Sequence, residues 1–214
     1  MSPPYCYDYP RPAVTVDMVV FALIDGELRV LLIRRKHDPF AGRWAIPGGF
    51  LGIDEPIEAA ARRELREETG LEVDAPITPI GVFGAPGRDP RGRTISLVHA
   101  TAVRAPLAQV QGGDDAEEAS WIAPAPTLGL AFDHDAILAT ALDWLRRGVT
   151  DEALGLALLP VEFGDDDVRT LYRGVGPSTR LAVPWRRRME REGRIVRKPG
   201  SDGHFRSIGR AQGG

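Results

Sequence analysis

The chain has 214 residues, which is enough for one large domain or two modest ones, and its 43% hydrophobic content supports a packed core. Its net charge of −3 conceals an asymmetry, because residues 169–214 carry twelve basic and three acidic residues, whereas residues 1–168 carry 15 basic and 27 acidic ones; this split suggests two modules with different partners. No apolar run approaches the ~18 residues of a membrane span, and residues 1–17 lack the basic and apolar stretches of a secretory signal.

The first predicted elements form a β-hairpin. Residues 14–23 are rich in β-branched and apolar residues and predict a strand. Asp25-Gly26 is typical of a tight turn, and residues 28–33 predict the returning strand. A loop over residues 35–43 then leads into residues 44–49, which end in two glycines.

Residues 49–71 carry the most specific pattern in the chain. They match G-x5-E-x7-R-E-U-x-E-E-x-G-U without a departure, where U is a bulky aliphatic residue. With average residue usage, a chance match in a chain of this length has odds on the order of 10⁻⁷. Pro56 suits the first turn of a helix and Gly70 suits its end, so the pattern predicts a helix of about four turns between them.

The helix places acidic residues on an inward face. At 100° per residue, Glu64 and Glu68 extend an apolar stripe instead of opposing it. The alternative, a solvated acidic face, fits poorly, because carboxylates crowded on an inward face repel one another and lose hydration. The residues divide as follows: Ile57, Ala60, Ala61, Glu64 and Glu68 in the stripe; Leu65 and Glu67 beside it; Glu58, Arg62, Arg66 and Thr69 on the opposite face.

A bound cation resolves the repulsion between these carboxylates. Oxygen ligands select a hard ion, so Mg²⁺ or Mn²⁺ is the expected cofactor. Arg63 precedes Glu67 by four residues and can orient it through an ion pair.

The next elements predict an α/β fold with a mixed sheet and helices on both faces. Asp133 suits an N-cap for the helix that follows it. The predicted elements are strands at residues 77–83, 94–103 and 120–122, a mostly irregular stretch at 105–119, and a helix at 136–145.

The C-terminal part predicts helices followed by a basic hairpin, an order that resembles a winged helix-turn-helix. The connection over residues 146–163 is ambiguous. The predicted elements are a helix at 165–172, a turn or short helix at 177–181, a helix from Pro184 to near Gly193, and a hairpin formed by 195–198 and 204–208.

Residues 12–147 resemble the Nudix hydrolases, and in particular the ADP-ribose pyrophosphatase-like branch. The resemblance implies an α/β/α sandwich and an enzyme that uses divalent metal to cleave a nucleoside diphosphate linked to another group. It implies that Glu64 and Glu68 bind the metal, with the carbonyl of Gly48 as a candidate further ligand, and that Glu67 binds the metal or orients the attacking water. Glu67, Glu64 and Arg63 are the implied catalytic residues.

Three further segments carry open alternatives. Members of the family often take a general base from a loop that follows the pattern of residues 49–71, hereafter the box. The candidate loop here is residues 113–118, which could equally form an exposed acidic turn. Arg88, Arg91 and Arg93 resemble arginines of this branch that meet phosphate or ribose, or they belong to a charged hairpin turn. His134 suits a helix-start or packing role better than a catalytic one.

Residues 157–210 resemble the DNA-binding module of the NrtR regulators, which are Nudix-related repressors. The matching pieces are Leu158-Leu159-Pro160, Leu171-Tyr172, Trp185-Arg186-Arg187-Arg188 and the final hairpin. Arg186, Arg187 and Arg188 are then the expected DNA contacts. Phe163-Gly164-Asp165 and Pro184-Trp185-Arg186-Arg187 depart from the pattern of these regulators. The alternative is a packing or dimerisation appendage.

Two functions follow, and they can coexist. The first is a metal-dependent hydrolase of ADP-ribose or a related nucleoside diphosphate derivative. The second is an NrtR-like regulator that senses ADP-ribose-like ligands and binds DNA. The intact box favours retained catalysis. A homodimer is expected, and the single Cys6 is in keeping with a cytoplasmic protein. Tyr5, Tyr7 and Tyr9 could stack on a base or remain mobile.

Overall fold

The computed structural model describes residues 8–105, 109–113, 115–151, 154–176, 178–200 and 203–208. Within them the chain forms a mixed seven-stranded sheet and, further along, a three-stranded antiparallel sheet. The strands of the larger sheet are β1 (Ala13–Ile24), β2 (Glu27–Arg35), β3 (Trp44–Ala45), β4 (Gly48–Phe50), β5 (Thr78–Phe83), β6 (Thr94–Val103) and β7 (Ala116–Ile122).

Strand β1 lies at the centre of the larger sheet. The main path runs β3-β2-β1-β6-β5, with β4 paired to β1 and β7 paired to β2. β1 and β6 are parallel, and the other described pairs of this sheet are antiparallel. The predicted mixed sheet is therefore confirmed. Every residue from Thr15 to Ala22 is buried, as expected for a strand that is covered on both faces.

Helices cover both faces of this sheet. On one face, Met18 and Val20 pack with Leu65 of α1 (Ile57–Thr69). On the other, Val19 and Phe21 share a core with Ile137 of α2 (His134–Asp151). Because successive side chains of a strand point to opposite faces, this alternation along β1 produces an α/β/α sandwich.

The β1–β2 connection is the predicted two-residue turn. Asp25 and Gly26 both have positive φ, 51° and 79°, as a turn that matches the twist of the flanking strands requires. The prediction of a mostly irregular stretch to residue 119 is wrong at its end, because β7 begins at Ala116 and pairs with β2. That pairing is long-range, and the acidic residues of β7 give no local sign of it.

Helix α1 has nearly the predicted limits. It follows Pro56 and ends at Gly70, whose φ is 69° and whose N–H donates to the Arg66 carbonyl. The predicted faces are wrong for two residues. Ile57, in the first turn, is 39% exposed. Thr69 is buried, and its hydroxyl donates to the Leu65 carbonyl at 2.6 Å, which satisfies the hydroxyl away from water.

The C-terminal elements have the predicted order, with a strand that sequence reasoning missed. A core that includes Phe163, Tyr172, Trp185 and Phe205 holds them together. Their sheet has the order β8-β10-β9, in which β8 is the missed strand. The elements are α3 (Gly155–Leu158), β8 (Glu162–Gly164), α4 (Asp165–Gly174), a 3₁₀ turn (Thr179–Leu181), α5 (Ala182–Arg191), β9 (Ile195–Arg197) and β10 (His204–Ser207).

The C-terminal elements pack directly on the sandwich. α2 continues past the predicted end at residue 145, and its Leu145 and Val149 share one apolar core with Tyr172 and Trp185. Arg104, beyond β6, donates to carbonyls of the C-terminal part, including that of Leu156 at 2.7 Å. None of the helices described is long and apolar enough to cross a membrane.

Candidate metal and diphosphate site

Arg63 forms hydrogen bonds with several groups of the box. Its guanidinium donates to Glu55 at 2.6 and 3.0 Å, to Glu64 at 2.7 Å, to Glu67 at 2.9 Å and to the Phe50 carbonyl at 3.2 Å. The hydrogen bonds from Arg63 lower the pKa of the Glu55 carboxyl to about 2. Arg63 thus ties the loop before α1 to two carboxylates of α1, which include the pair predicted from the four-residue spacing.

Glu64 and Glu68 point inward, as their positions on the helix predict. Glu68 is 5% exposed, and it accepts a hydrogen bond from the Gly48 N–H at 2.8 Å. Burial raises the pKa of the Glu68 carboxyl to about 8, and burial also raises the pKa of Glu64. Because water stabilises the charge of these two carboxylates poorly, a bound cation would stabilise their ionised forms.

Two glycines allow β4 to approach these carboxylates. A Cβ at Gly49 would meet the Glu64 carboxylate, and a Cβ at Gly48 would meet the Val16 carbonyl and the Asp17 carboxylate. Only glycine fits at either position with the surrounding groups in place.

The donor chemistry of the site fits a hard divalent ion. The groups are carboxylates and a backbone carbonyl, and the raised pKa values of Glu64 and Glu68 mark charge that the protein does not fully compensate. In the described part of the chain, no three acidic, histidine or cysteine side chains are already arranged around one point. Arg63 holds Glu64 and Glu67, and the Gly48 N–H holds Glu68.

Asp17 and Ser96 belong to the site, and sequence reasoning missed both. Asp17 is a buried carboxylate on β1 that accepts a hydrogen bond from the Ser96 hydroxyl on β6. It lies opposite Gly48 in the β1–β4 register. The available signal was a single Asp in the otherwise uncharged sequence of β1.

The three arginines predicted to bind the substrate make different contacts. The side chain of Arg88 is buried, lines the cavity beside Glu68 and makes a bidentate ion pair with Asp133, at 2.6 and 2.9 Å. Arg91 pairs with Asp89 and lines the cavity beside Glu68. Arg93 donates to the Gly84 carbonyl and is not among the described residues that line that cavity. Asp133 immediately precedes α2, the position predicted for the N-cap, and its side chain holds Arg88.

Arg35 is a further cation at the cavity that sequence reasoning missed. It lies 4.9 Å from the ring centroid of Phe132, and Arg91 lies 5.7 Å from the same centroid. Burial, and next the charge of Arg91, lower the pKa of Arg35. Phe132 has a φ of 54°, a strained conformation that tends to occur at functional sites.

The acidic loop predicted to supply a base contributes one described residue to the cavity, Asp115. Asp114 lies outside the described residues. Glu117 and Glu118 lie in β7, mostly exposed and about 3.9 Å from Arg34. His134, at the start of α2, is buried, lines the same cavity and accepts a hydrogen bond from the Ile46 N–H at 2.9 Å.

The sequence profile of the NUDIX domain matches residues 14–145, more than half of the chain. The chain belongs to the Nudix family. The fold and the box described above are therefore those of a Nudix domain, and the resemblance inferred from residues 49–71 is confirmed.

Three known proteins show what this Nudix chain is similar to. It is 33% identical over 193 residues to an ADPR responsive transcriptional repressor NtrR of Acinetobacter baylyi, covering 87% of this chain and 75% of the relative. It is 40% identical over 136 residues to an ADP-ribose pyrophosphatase of Methanocaldococcus jannaschii, covering 64% and 76%. The crystal structure of Shewanella oneidensis NrtR superposes with a TM-score of 0.76 at 25% identity, covering 92% and 94%.

The three arginines predicted to contact DNA have different environments in this Nudix chain. Arg186 is buried, pairs with Asp165 and Glu190 at 3.0 Å each, and stacks over Phe205. Its guanidinium is engaged inside the module, and the expected phosphate contact stays a prediction. Arg188 is partly buried and donates to a backbone carbonyl of α2. Arg187 is exposed.

Proposed function

We propose that this chain is a metal-dependent Nudix hydrolase that cleaves the pyrophosphate of ADP-ribose or a related nucleoside diphosphate derivative. The observation that carries the proposal is the array in which Arg63 holds Glu55, Glu64 and Glu67 while Glu68 lies buried beside Gly48. The archaeal relative named an ADP-ribose pyrophosphatase matches the Nudix part of the chain and supports this substrate class.

The residues divide the chemistry among them. Glu64, Glu67, Glu68 and the carbonyl of Gly48 would hold Mg²⁺ or Mn²⁺, which when bound neutralises phosphate charge and lowers the pKa of water. Arg35 and Arg91 present guanidinium groups at the cavity, where they can bind diphosphate oxygens. Asp115 is the described member of the acidic loop that lies where a general base could face the cavity.

A substrate panel with and without Mg²⁺ tests this function. ADP-ribose, NADH, dinucleoside polyphosphates and sugar nucleotides should include at least one compound that is hydrolysed only with metal. Glu64→Gln and Glu67→Gln should each abolish most of the turnover, whereas Arg34→Gln, an exposed arginine of β2, should not. Absence of turnover with every compound would remove the hydrolase proposal.

A second function is favoured by the C-terminal part. The excess of nine positive charges after residue 168, in a module with the element order of a winged helix, suggests that it binds DNA. The bacterial relative named an ADPR responsive transcriptional repressor covers both parts of this chain. We infer a regulator, expected to act as a homodimer, whose Nudix domain senses ADP-ribose-like ligands.

The regulator proposal has its own test. DNA from upstream of the chain's own gene should bind with an affinity that falls steeply with salt and changes when ADP-ribose is added. Equal affinity for unrelated DNA, with no response to ADP-ribose, counts against regulation and leaves the hydrolase proposal untouched. Light scattering of the free protein checks the expected dimer.

A further inference from the structure

His134 makes a hydrogen bond between two distant parts of the chain. Its Nδ1 accepts the N–H of Ile46 at 2.9 Å, across 88 positions of sequence, and its side chain is buried. Ile46 lies between β3 and β4, two residues before Gly48, whereas His134 is the first residue of α2. The bond therefore joins one helix of the sandwich to the short segment that carries Gly48.

That segment is held at three consecutive residues, Ile46, Pro47 and Gly48, by three different elements. The Ile46 N–H is bound by His134 of α2. The Pro47 carbonyl accepts the N–H of Met18 in β1 at 2.9 Å. The Gly48 N–H donates to Glu68 of α1 at 2.8 Å. Of these three contacts, only the first and the last depend on a side chain, so only they can be removed by substitution without changing the backbone.

The bond to Ile46 requires a specific form of His134. An imidazole nitrogen accepts a hydrogen bond only when it carries no proton, so Nδ1 must be the unprotonated nitrogen. Burial lowers the pKa of His134, which favours this neutral form. The ring of Phe132 lies 5.4 Å from the imidazole ring, centroid to centroid, and restricts its rotation.

We propose that His134 is a positioning residue, which by accepting the Ile46 N–H holds residues 46–48 so that Gly48 stays at the carboxylates of α1. The inference rests on the metal site of the proposed hydrolase. Without the acceptor, a buried N–H loses its partner and residues 46–48 can relax away from Glu68. The groups that bind the ion would then have to be brought together at the moment of binding, which weakens affinity.

Mn²⁺ binding to the full chain, measured from the electron paramagnetic resonance signal of the free ion, tests the proposal. His134→Phe keeps a ring but has no acceptor, and it should weaken Mn²⁺ binding about 10–100-fold. His134→Asn places an amide oxygen close to the position of Nδ1, and it should recover an affinity within about threefold of the unaltered chain. His134→Gln places its oxygen further out, and it should resemble the Phe variant.

A second buried histidine provides a matched control. His99 lies in β6, is buried, and does not line the cavity. His99→Phe should leave Mn²⁺ affinity unchanged. If His134→Phe does not fold, the comparison of Asn with Gln still decides the matter, because both are polar and differ in where the acceptor lies.

Four outcomes are distinguishable. Unchanged Mn²⁺ affinity in His134→Phe overturns the proposal, and so does equal weakening in the Asn and Gln variants, which indicates packing alone. A chain that binds no Mn²⁺ overturns both the positioning role and the proposed hydrolase. A chain in which His134 controls Mn²⁺ affinity but which hydrolyses no diphosphate substrate supports the positioning role and removes the hydrolase.

Discussion

Arg188 of α5 donates a hydrogen bond of 2.7 Å to the backbone carbonyl of Thr150, in the last turn of α2. The final carbonyls of a helix have no partner within it, and a cation there also complements the helix dipole. The same helix begins at His134, which lines the candidate site. This helix of 18 residues therefore has its first residue at the candidate site, and its last turn is capped by a residue of the C-terminal module.

Replacing Arg188 with Gln should loosen the contact between α2 and the C-terminal module. Loss of this hydrogen bond should lower the free energy of unfolding by about 1–2 kcal/mol. Hydrogen exchange should become faster for amides of α5. Arg187→Gln, an exposed neighbour in the same helix, serves as the control. Equal exchange in the two variants would show that the cap contributes nothing.

Substitutions of Arg186 and Arg187 should have different effects, the first on stability and the second on DNA binding. Arg186 is buried over Phe205, so Arg186→Ala should destabilise the module by about 1–3 kcal/mol, because it removes this packing and the hydrogen bonds to Asp165 and Glu190. Arg187→Gln should leave the melting temperature nearly unchanged, weaken DNA binding, and reduce the salt dependence by about one counterion. Melting curves and a salt titration of DNA affinity measure the two effects. Reduced DNA affinity with unchanged stability in Arg186→Ala would contradict the role of Arg186 as an internal residue.

Arg63→Lys should impair metal-dependent hydrolysis. A lysine ammonium has no planar fork and cannot hold Glu55, Glu64 and Glu67 together as Arg63 does. We expect kcat/KM to fall about 10–100-fold. Steady-state kinetics with Mg²⁺ measure this. Retention of full activity would mean that the three carboxylates keep their positions without the guanidinium.

The metal-free chain should lose stability as pH rises. The Glu68 carboxyl has its pKa raised by burial from 4.5 to about 8. Between those values the folded state holds a proton that the unfolded state has released. The free energy of unfolding should therefore fall with pH by at most about 1.4 kcal/mol per unit. Urea denaturation in EDTA from pH 5 to 8 measures the slope, and Glu68→Gln should change it by removing the contribution of this group.

The affinity for Mg²⁺ should rise with pH, whereas the stability of the metal-free chain falls. Because the ion must displace the Glu68 proton, its apparent affinity should rise with pH up to about 8. Calorimetry in buffers of different ionisation enthalpy would report the released proton. A metal affinity that is constant from pH 6 to 8 would contradict the raised pKa.

Gly48→Ala should disrupt the site, whereas Gly84→Ala should be tolerated. A Cβ at Gly48 meets the backbone of β1, which cannot move aside. Overpacking of this kind costs about 1–3 kcal/mol. At Gly84 the nearest atom to a Cβ is a side-chain carbon of Ile95 at 3.6 Å, an ordinary contact. Thermal unfolding and hydrolysis of the two variants provide the comparison.

Local patterns determined much of the fold and the heart of the site. The spacing of the box predicted α1, its end at Gly70, the pair of Arg63 with Glu67, and the inward position of Glu68, because residues four apart on a helix share a face. Alternation and β-branching predicted β1, β2 and β6 closely. These features depend on neighbours in sequence, so the sequence by itself determined them and the family.

Tertiary structure decided which polar side chains are available for function. Arg88 is held by Asp133, 45 positions away, and Arg186 by Asp165, 21 positions away. Asp17 meets Ser96 through strand register, and His134 reaches Ile46 across 88 positions. A buried charge or N–H must find a partner wherever packing places one. The sequence alone therefore identified a carboxylate box and a basic module, whereas packing decided that Arg35 and Arg91 face the cavity and that Arg186 is part of the core.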